Sequence, residues 1–309
     1  MISSNAHRYP ISALCRCLGI TRSLYYYHKK REQKKCARLQ EEQELSDEIC
    51  IIFRQNREVY GSRKIKSILG RAGKQVSRRR IIRIMNVKDL VLQIRRKRPR
   101  EKKDATNRAE TGNVLDRQFD GQEPYAAVVS DLTYVRVGGV WNYVCILLDL
   151  FNREIIGYSA GRSKDAQLVY KAFASVSIPL YRMQLFHTDR GSEFDNRLIE
   201  EVLQTFQIER SLSRKATPHD NAVAESAFNL VKSEFINRNR FDSLAQLRLQ
   251  LMDYVNWYNK IRVHSSLGYL SPSEYREIHK RFCPGEEGDT GEGAVAMALM
   301  SHFAPSSPY

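Results

Sequence analysis

No stretch of the 309-residue chain is apolar over the roughly 18 residues that a bilayer-spanning helix needs, and no secretory leader pattern opens it. The six cysteines (Cys15, Cys17, Cys36, Cys50, Cys145, Cys283) include no CxxC pair and no spacing suited to a disulfide framework, so reduced thiols in a cytoplasmic setting are expected. No heptad pattern is sustained, which argues against a long coiled coil. No Ser-His-Asp constellation stands out. Acidic residues are scarce at the start: residues 1–104 hold 28 Lys and Arg against 10 Asp and Glu, a net of +18, whereas the remainder holds 22 against 25, or −3. The overall charge of +15 and pI near 9.6 call for an anionic partner, and the basic segment is its handle.

The acids that are present fall in telling places. The strand-like segment AAVVSDLTYVRV carries Asp131 where apolar residues are expected, and a charge there costs free energy unless it is paired or binds a cation. Asp189 follows Leu185 and Phe186 and precedes Arg190, Gly191 and Ser192, so it reads as the last residue of a buried strand breaking into a turn. Glu225 follows the Asx-rich start Pro218 to Asn221, in the first turns of a helix with apolar residues at Val223, Ala227, Leu230, Val231 and Phe235. Three carboxylates gathered together repel unless a divalent ion offsets them. Oxygen-only donors point to Mg²⁺ or Mn²⁺ rather than zinc.

With 35 residues between Asp189 and Glu225, the segments SDLTYV, HTDRGSEF and DNAVAES followed by Lys232 resemble the DDE transposases and retroviral integrases, and most closely the OrfB-type transposases of bacterial insertion sequences. The resemblance runs from about Tyr9 to Tyr275. It implies metal-dependent DNA 3′-end cleavage followed by strand transfer, with Asp131, Asp189 and Glu225 holding two Mg²⁺ or Mn²⁺ ions per site. It implies double-stranded DNA partners, namely terminal inverted repeats and a target, a homo-oligomer on DNA, no membrane, and a cytoplasmic, nucleoid-associated setting. An upstream-frame protein or fusion is a further expectation. The N-terminal zinc module of retroviral integrases is not matched by His7, His28, Cys15 and Cys17, so no zinc is expected.

The expected fold class is α/β: a ribonuclease H-like core with a five-stranded mixed sheet, preceded by helix-turn-helix segments. Residues 1–40 read as one such segment, with a turn at Gly19 and a helix capped by Thr21; Tyr25, Tyr26 and Tyr27 suit either packing or DNA contact. Residues 41–91 open with a charged helix over 41–55 and then hold a second unit. There Ser62 caps one helix, Gly70 and Gly73 turn, and Ser77 caps another carrying Arg78, Arg79, Arg80 and Arg83, with Ile81, Ile82, Ile84 and Met85 as its buried face. Arg63 lies in a Tyr-Gly-Ser-Arg that the OrfB-type proteins share. Residues 92–122 read as a basic linker with Arg95, Arg96, Lys97 and Arg98, residues 123–240 as the catalytic core, 241–283 as its helical extension and 284–309 as a flexible tail.

Further DNA contacts are expected at Lys232, two helical turns beyond Glu225, and at Arg214 and Lys215 in the preceding loop. His187, on the strand face of Asp189 by period two, is a second-shell candidate. Asp149 reads as turn chemistry or a partner of Arg153, Asp220 and Asn221 as helix caps, and Glu193 as solvated. Two rival functions use the same residues: a nuclease that cuts without joining, and a DNA-binding regulator with an inactive integrase-like core.

Overall fold

The computed structural model describes residues 2–92, 113–116, 121–213 and 222–282. The chain divides into two compact units, Met1–Val91 and Leu92–Tyr309. No helix among the described residues is long and apolar enough to cross a membrane.

The first unit is helical: α1 (Ile2–Asn5), α2 (Ile11–Cys17), α3 (Arg22–Gln55), α4 (Ser62–Arg71) and α5 (Arg78–Val87). Gly19, at φ +67°, makes the turn after α2, and the Thr21 hydroxyl caps α3 by accepting from the Leu24 N–H. The break expected between residues 30 and 41 is absent, because α3 runs unbroken for 34 residues. Its sequence contains no Gly or Pro, and residues 31–44 are almost all good helix formers, so nothing stops propagation. A boundary at residue 40 therefore falls inside a helix.

Ser62 is the first residue of α4 rather than its cap; Gly61 holds the cap position and offers no side-chain bond. Ser77 does cap α5, accepting from the Arg80 N–H. Ile81, Ile84 and Met85 are buried as expected, but Ile82 is exposed, since it lies a quarter-turn off the stripe they form. Of the three tyrosines, Tyr25 packs with Ile2 and Cys15, while Tyr26 and Tyr27 face solvent.

The second unit is built on strands β1 (Ala127–Val137), β2 (Val140–Asp149) and β3 (Ile155–Gly161), then α6 (Ala166–Ala174), β4 (Leu185–Thr188), α7 (Arg197–Thr205), β5 (Glu209–Leu212), α8 (Ala222–Glu234), α9 (Leu244–Lys260) and α10 (Pro272–Phe282). The sheet order is β3-β2-β1-β4-β5, with β1, β2 and β3 antiparallel and β4 and β5 parallel to β1. This is the ribonuclease H-like order, with the first and fourth strands adjacent. Gly138 and Gly139, both at positive φ, turn the β1–β2 hairpin. A Cβ on Gly157 of β3 would lie 2.6 Å from the Ala172 carbonyl, so α6 packs closer to the sheet than any other residue there would allow. One face of the sheet is covered by α6 and α7 through Leu168, Val169, Phe173, Ile199 and Leu203 against Val128, Cys145, Leu147 and Phe186.

Two buried polar clusters tie later helices to this frame. Arg262, after α9, donates to both carboxylate oxygens of Glu234 at the end of α8, at 2.6 and 2.7 Å, with both side chains under 5% exposed. Burial opposes the Arg262 charge, yet the bonds to Glu234 outweigh it and hold the guanidinium above its usual range. Asp149, at the end of β2, is fully buried and accepts from the Tyr125 and Phe151 N–H groups, which is the turn chemistry expected of it. Next to it Arg276 of α10 binds Glu154 and the Tyr125 hydroxyl. Burial pushes the Asp149 carboxyl up to about 7, against the two backbone bonds.

Two stability predictions follow from these clusters. Arg262→Leu leaves a buried charge unpaired and should cost about 3–5 kcal/mol in denaturant unfolding, whereas the double variant with Glu234→Leu should recover most of that loss. The native state keeps the Asp149 proton to higher pH than the unfolded chain does, so this group destabilises the fold as pH rises from about 4 to about 7. Asp149→Asn should remove that slope, a wild-type-to-variant difference of order 4 kcal/mol across the window, read by unfolding at several pH values.

Candidate active site

β4 pairs with β1 only as far as Val129↔His187. Two residues beyond that last pair stand Asp131, still on β1, and Asp189, the first residue after β4. Both carboxylates are half-buried. One oxygen of Asp131 accepts from the Leu132 N–H at 2.7 Å, and one oxygen of Asp189 accepts from the Gly191 N–H at 3.1 Å, the bond that turns the chain out of β4.

Among the described residues no strand pairs with β1 beyond Val129 on the β4 side apart from the single bridge at Val137, and α8 packs against β1. The Lys232 ammonium lies 5.9 Å from the Tyr134 ring, and Phe241, just past α8, pairs in parallel with Val137. Helix and strand thus advance in the same sense. Seven residues of helix and three of strand each cover about 10 Å, so Glu225 precedes Lys232 on α8 by the same length as Asp131 precedes Tyr134 on β1. Among the described residues, however, no three acids, histidines or cysteines lie close enough together to hold a metal ion. Asp131 and Asp189 both contribute to the field at Lys164, and Glu225 lies in the first turn of α8. Arg214, Lys215, Asp220 and Asn221 fall outside the described residues, as do Arg95, Arg96, Lys97 and Arg98.

Sequence reasoning missed two further groups. Glu193, expected to be solvated, is 4% exposed, and its carboxylate meets the Lys164 ammonium at 2.9 Å. The reason lies one residue on: Phe194 is buried in the core and carries Glu193 inward, while Gly191 leaves the space its carboxylate fills. Burial disfavours the Lys164 charge, but the Glu193 bond and the fields of Asp189 and Asp131 outweigh it and raise its pKa. One ammonium group therefore senses all three of these acids. Burial, with smaller contributions from Asp131 and Glu193, pushes the neighbouring Cys145 thiol up to about 12, so it is inert. No local signal marks Lys164, which sits in the polar turn Arg162-Ser163-Lys164-Asp165.

His187 is fully buried, and its ring nitrogens bridge the hydroxyls of Ser211 and Ser213, on and just past β5. It clamps β5 to β4 where the chain leaves for α8. Asp149 ends β2 opposite Val128, three residues beyond Ile146, the partner of Asp131.

In the helical unit, the arginines of α5 do not all face solvent. Arg80 donates through Nε and Nη2 to Glu42 of α3, and Arg83 donates to the other Glu42 oxygen at 2.5 Å. The Arg80 bond, first among several, lowers the Glu42 pKa. Arg63, Arg78 and Arg79 remain exposed. Glu42→Gln should therefore release two cations and remove one opposing charge. The expected outcome is tighter duplex-DNA binding with a salt slope steeper by about one to two, measured by fluorescence anisotropy across salt concentrations.

Comparison with known proteins agrees with both units. Residues 121–218 and 206–272 match two profiles described as "Integrase core domain", and residues 40–98 match an "HTH-like domain". The chain is 32% identical over 274 residues to the "Putative transposase InsK for insertion sequence element IS150" of Escherichia coli (strain K12), covering 87% of this chain and 94% of that protein. It is 29% identical to the "Transposase for insertion sequence element IS629" of Shigella sonnei, with 88% and 93% covered. Among solved structures, the HTLV-2 integrase catalytic core domain in complex with magnesium (trimeric form) aligns over 49% of this chain and 96% of its own, at 16% identity and a TM-score of 0.38. Identity at this level over nearly the full length of a transposase, with integrase-core and helix-turn-helix-like segments in order, shows that this chain belongs to the integrase-core transposases of insertion sequences.

Proposed function

We propose that Asp131, Asp189 and Glu225 form the acidic triad of this transposase and, with divalent cations (Mg²⁺ or Mn²⁺), cleave a DNA 3′ end and join it to a target. What supports this reading is the β1–β4 register, whose last pair comes two residues before each aspartate, together with the rise in the Lys164 pKa, to which both contribute after Glu193. A pair of acids that already raises the charge affinity of a neighbouring ammonium suits hard cations, and its donors are all oxygen. When bound, such cations supply Lewis acidity at phosphorus and make water or a DNA hydroxyl a better nucleophile.

The protein's own residues do the rest. Asp131 and Asp189 hold negative charge at fixed positions, and α8 brings Glu225 toward them when DNA fills the site. Lys164, held by Glu193, offsets part of their charge until then. His187 acts from behind the site by fixing the strand from which the chain passes to α8. Lys232, Arg214 and Lys215 hold the reacting strand, while Arg63, Arg78, Arg79, Arg80, Arg83 and the run Arg95, Arg96, Lys97 and Arg98 bind duplex phosphates. Terminal inverted repeats and a target duplex are the partners, taken up by a homo-oligomer in the cytoplasm. The division of labour follows the two units, with recognition up to residue 91 and chemistry from residue 123.

The test is single replacement. Asp131→Asn, Asp189→Asn and Glu225→Gln should each lower Mg²⁺-dependent cleavage and joining of a marked DNA end by at least about 100-fold. DNA binding should stay within about two-fold. A variant that retains full activity would remove its residue from the triad.

A further inference from the structure

The tip of the β1–β2 hairpin carries an unusual surface. Tyr134, Val140 and Trp141 are 62%, 64% and 53% exposed, although they adjoin a strand edge that the core could have covered. The Tyr134 and Trp141 rings meet edge to face at 5.1 Å and 89°, so each supports the other in a fixed orientation. Cations flank both. The Arg136 guanidinium, anchored by its Nε to the Gly139 carbonyl at 3.0 Å, lies 5.8 Å from the Trp141 ring, opposite which it pairs in the hairpin. The Lys232 ammonium lies 5.9 Å from the Tyr134 ring.

Flat exposed rings set between fixed cations match a nucleobase and its phosphates better than an apolar protein surface. A second copy of the chain is a poor occupant, since a two-fold contact here would press Arg136 and Lys232 against their own counterparts. Tyr134 is three residues from Asp131, about 10 Å along β1, and strand alternation sends the two side chains to opposite faces of the sheet. Duplex DNA keeps its base faces stacked inside, so only an unpaired base can use such a surface. We propose that Tyr134 and Trp141 form a stacking platform for an unpaired base of a bound DNA strand, with Arg136 and Lys232 on its phosphates. The platform does not rest on Asp131 belonging to the triad.

The chain contains two tryptophans, and Trp257 is 4% exposed, so Trp141 is the one that a ligand at the surface can quench. Titration of the full chain with a short oligothymidylate should quench tryptophan emission saturably, and a blunt duplex of the same length should not. Tyr134→Ala should move the quenching midpoint to about 5- to 150-fold higher concentration, the loss expected for one stacked base, while Tyr134→Phe should leave it in place. Trp141→Ala should abolish the quenching with an unchanged circular dichroism spectrum. Asp131→Asn should abolish cleavage and keep the quenching, so that failure of the triad and failure of the platform are read separately. Equal quenching by single strand and duplex would overturn the platform, as would a dimer that Trp141→Ala dissociates while oligothymidylate binding is unchanged.

Discussion

A carboxylate set into a buried strand is the constraint on which the catalytic unit turns. Asp131 stands where β1 needs apolar packing, and it is tolerated because β4 ceases to pair two residues earlier. That early end does several things together. Among the described residues it leaves that side of β1 without a pairing strand beyond Val129 apart from the bridge at Val137, lets the chain turn out through Asp189, and gives α8 a place to lie. The acids therefore collect at a gap in the sheet rather than inside it, open to a substrate and close to solvent.

Charge balance explains the less obvious parts of that gap. Like charges brought close repel, and the Lys164 ammonium, held by the buried Glu193 whose position depends on Phe194 and Gly191, offsets part of that charge. At the opposite end of α8, the Glu234–Arg262 pair fixes the helix to the segment after α9. Glu225 thus projects from the first turn of a helix anchored at its other end. The helical unit shows the same habit of pairing charge, with Glu42 occupying Arg80 and Arg83 as a phosphate could.

Much of this was legible in the sequence. Alternation and the Gly138-Gly139 turn gave the hairpin, and the order of three strands followed by helix-strand alternation gave the sheet, because these signals are local. Asp131 and Asp189 were legible as acids at strand positions that ordinarily exclude them. What local pattern could not supply was contact between distant segments: Glu42 with arginines about 40 residues away, Glu193 with Lys164, and the inward pull of Phe194. The long α3 was misread for a different reason, since a charged stretch was given a boundary although it contained no residue able to end a helix.

The approach of Glu225 to the two aspartates is where the account is most exposed, and diffraction from crystals of the DNA complex soaked with Mn²⁺ addresses it directly. Anomalous peaks between Asp131 and Asp189, with the Glu225 carboxylate drawn in beside them, are the predicted result. Peaks elsewhere, or a Glu225 that stays apart while DNA and Mn²⁺ are both bound, would contradict it.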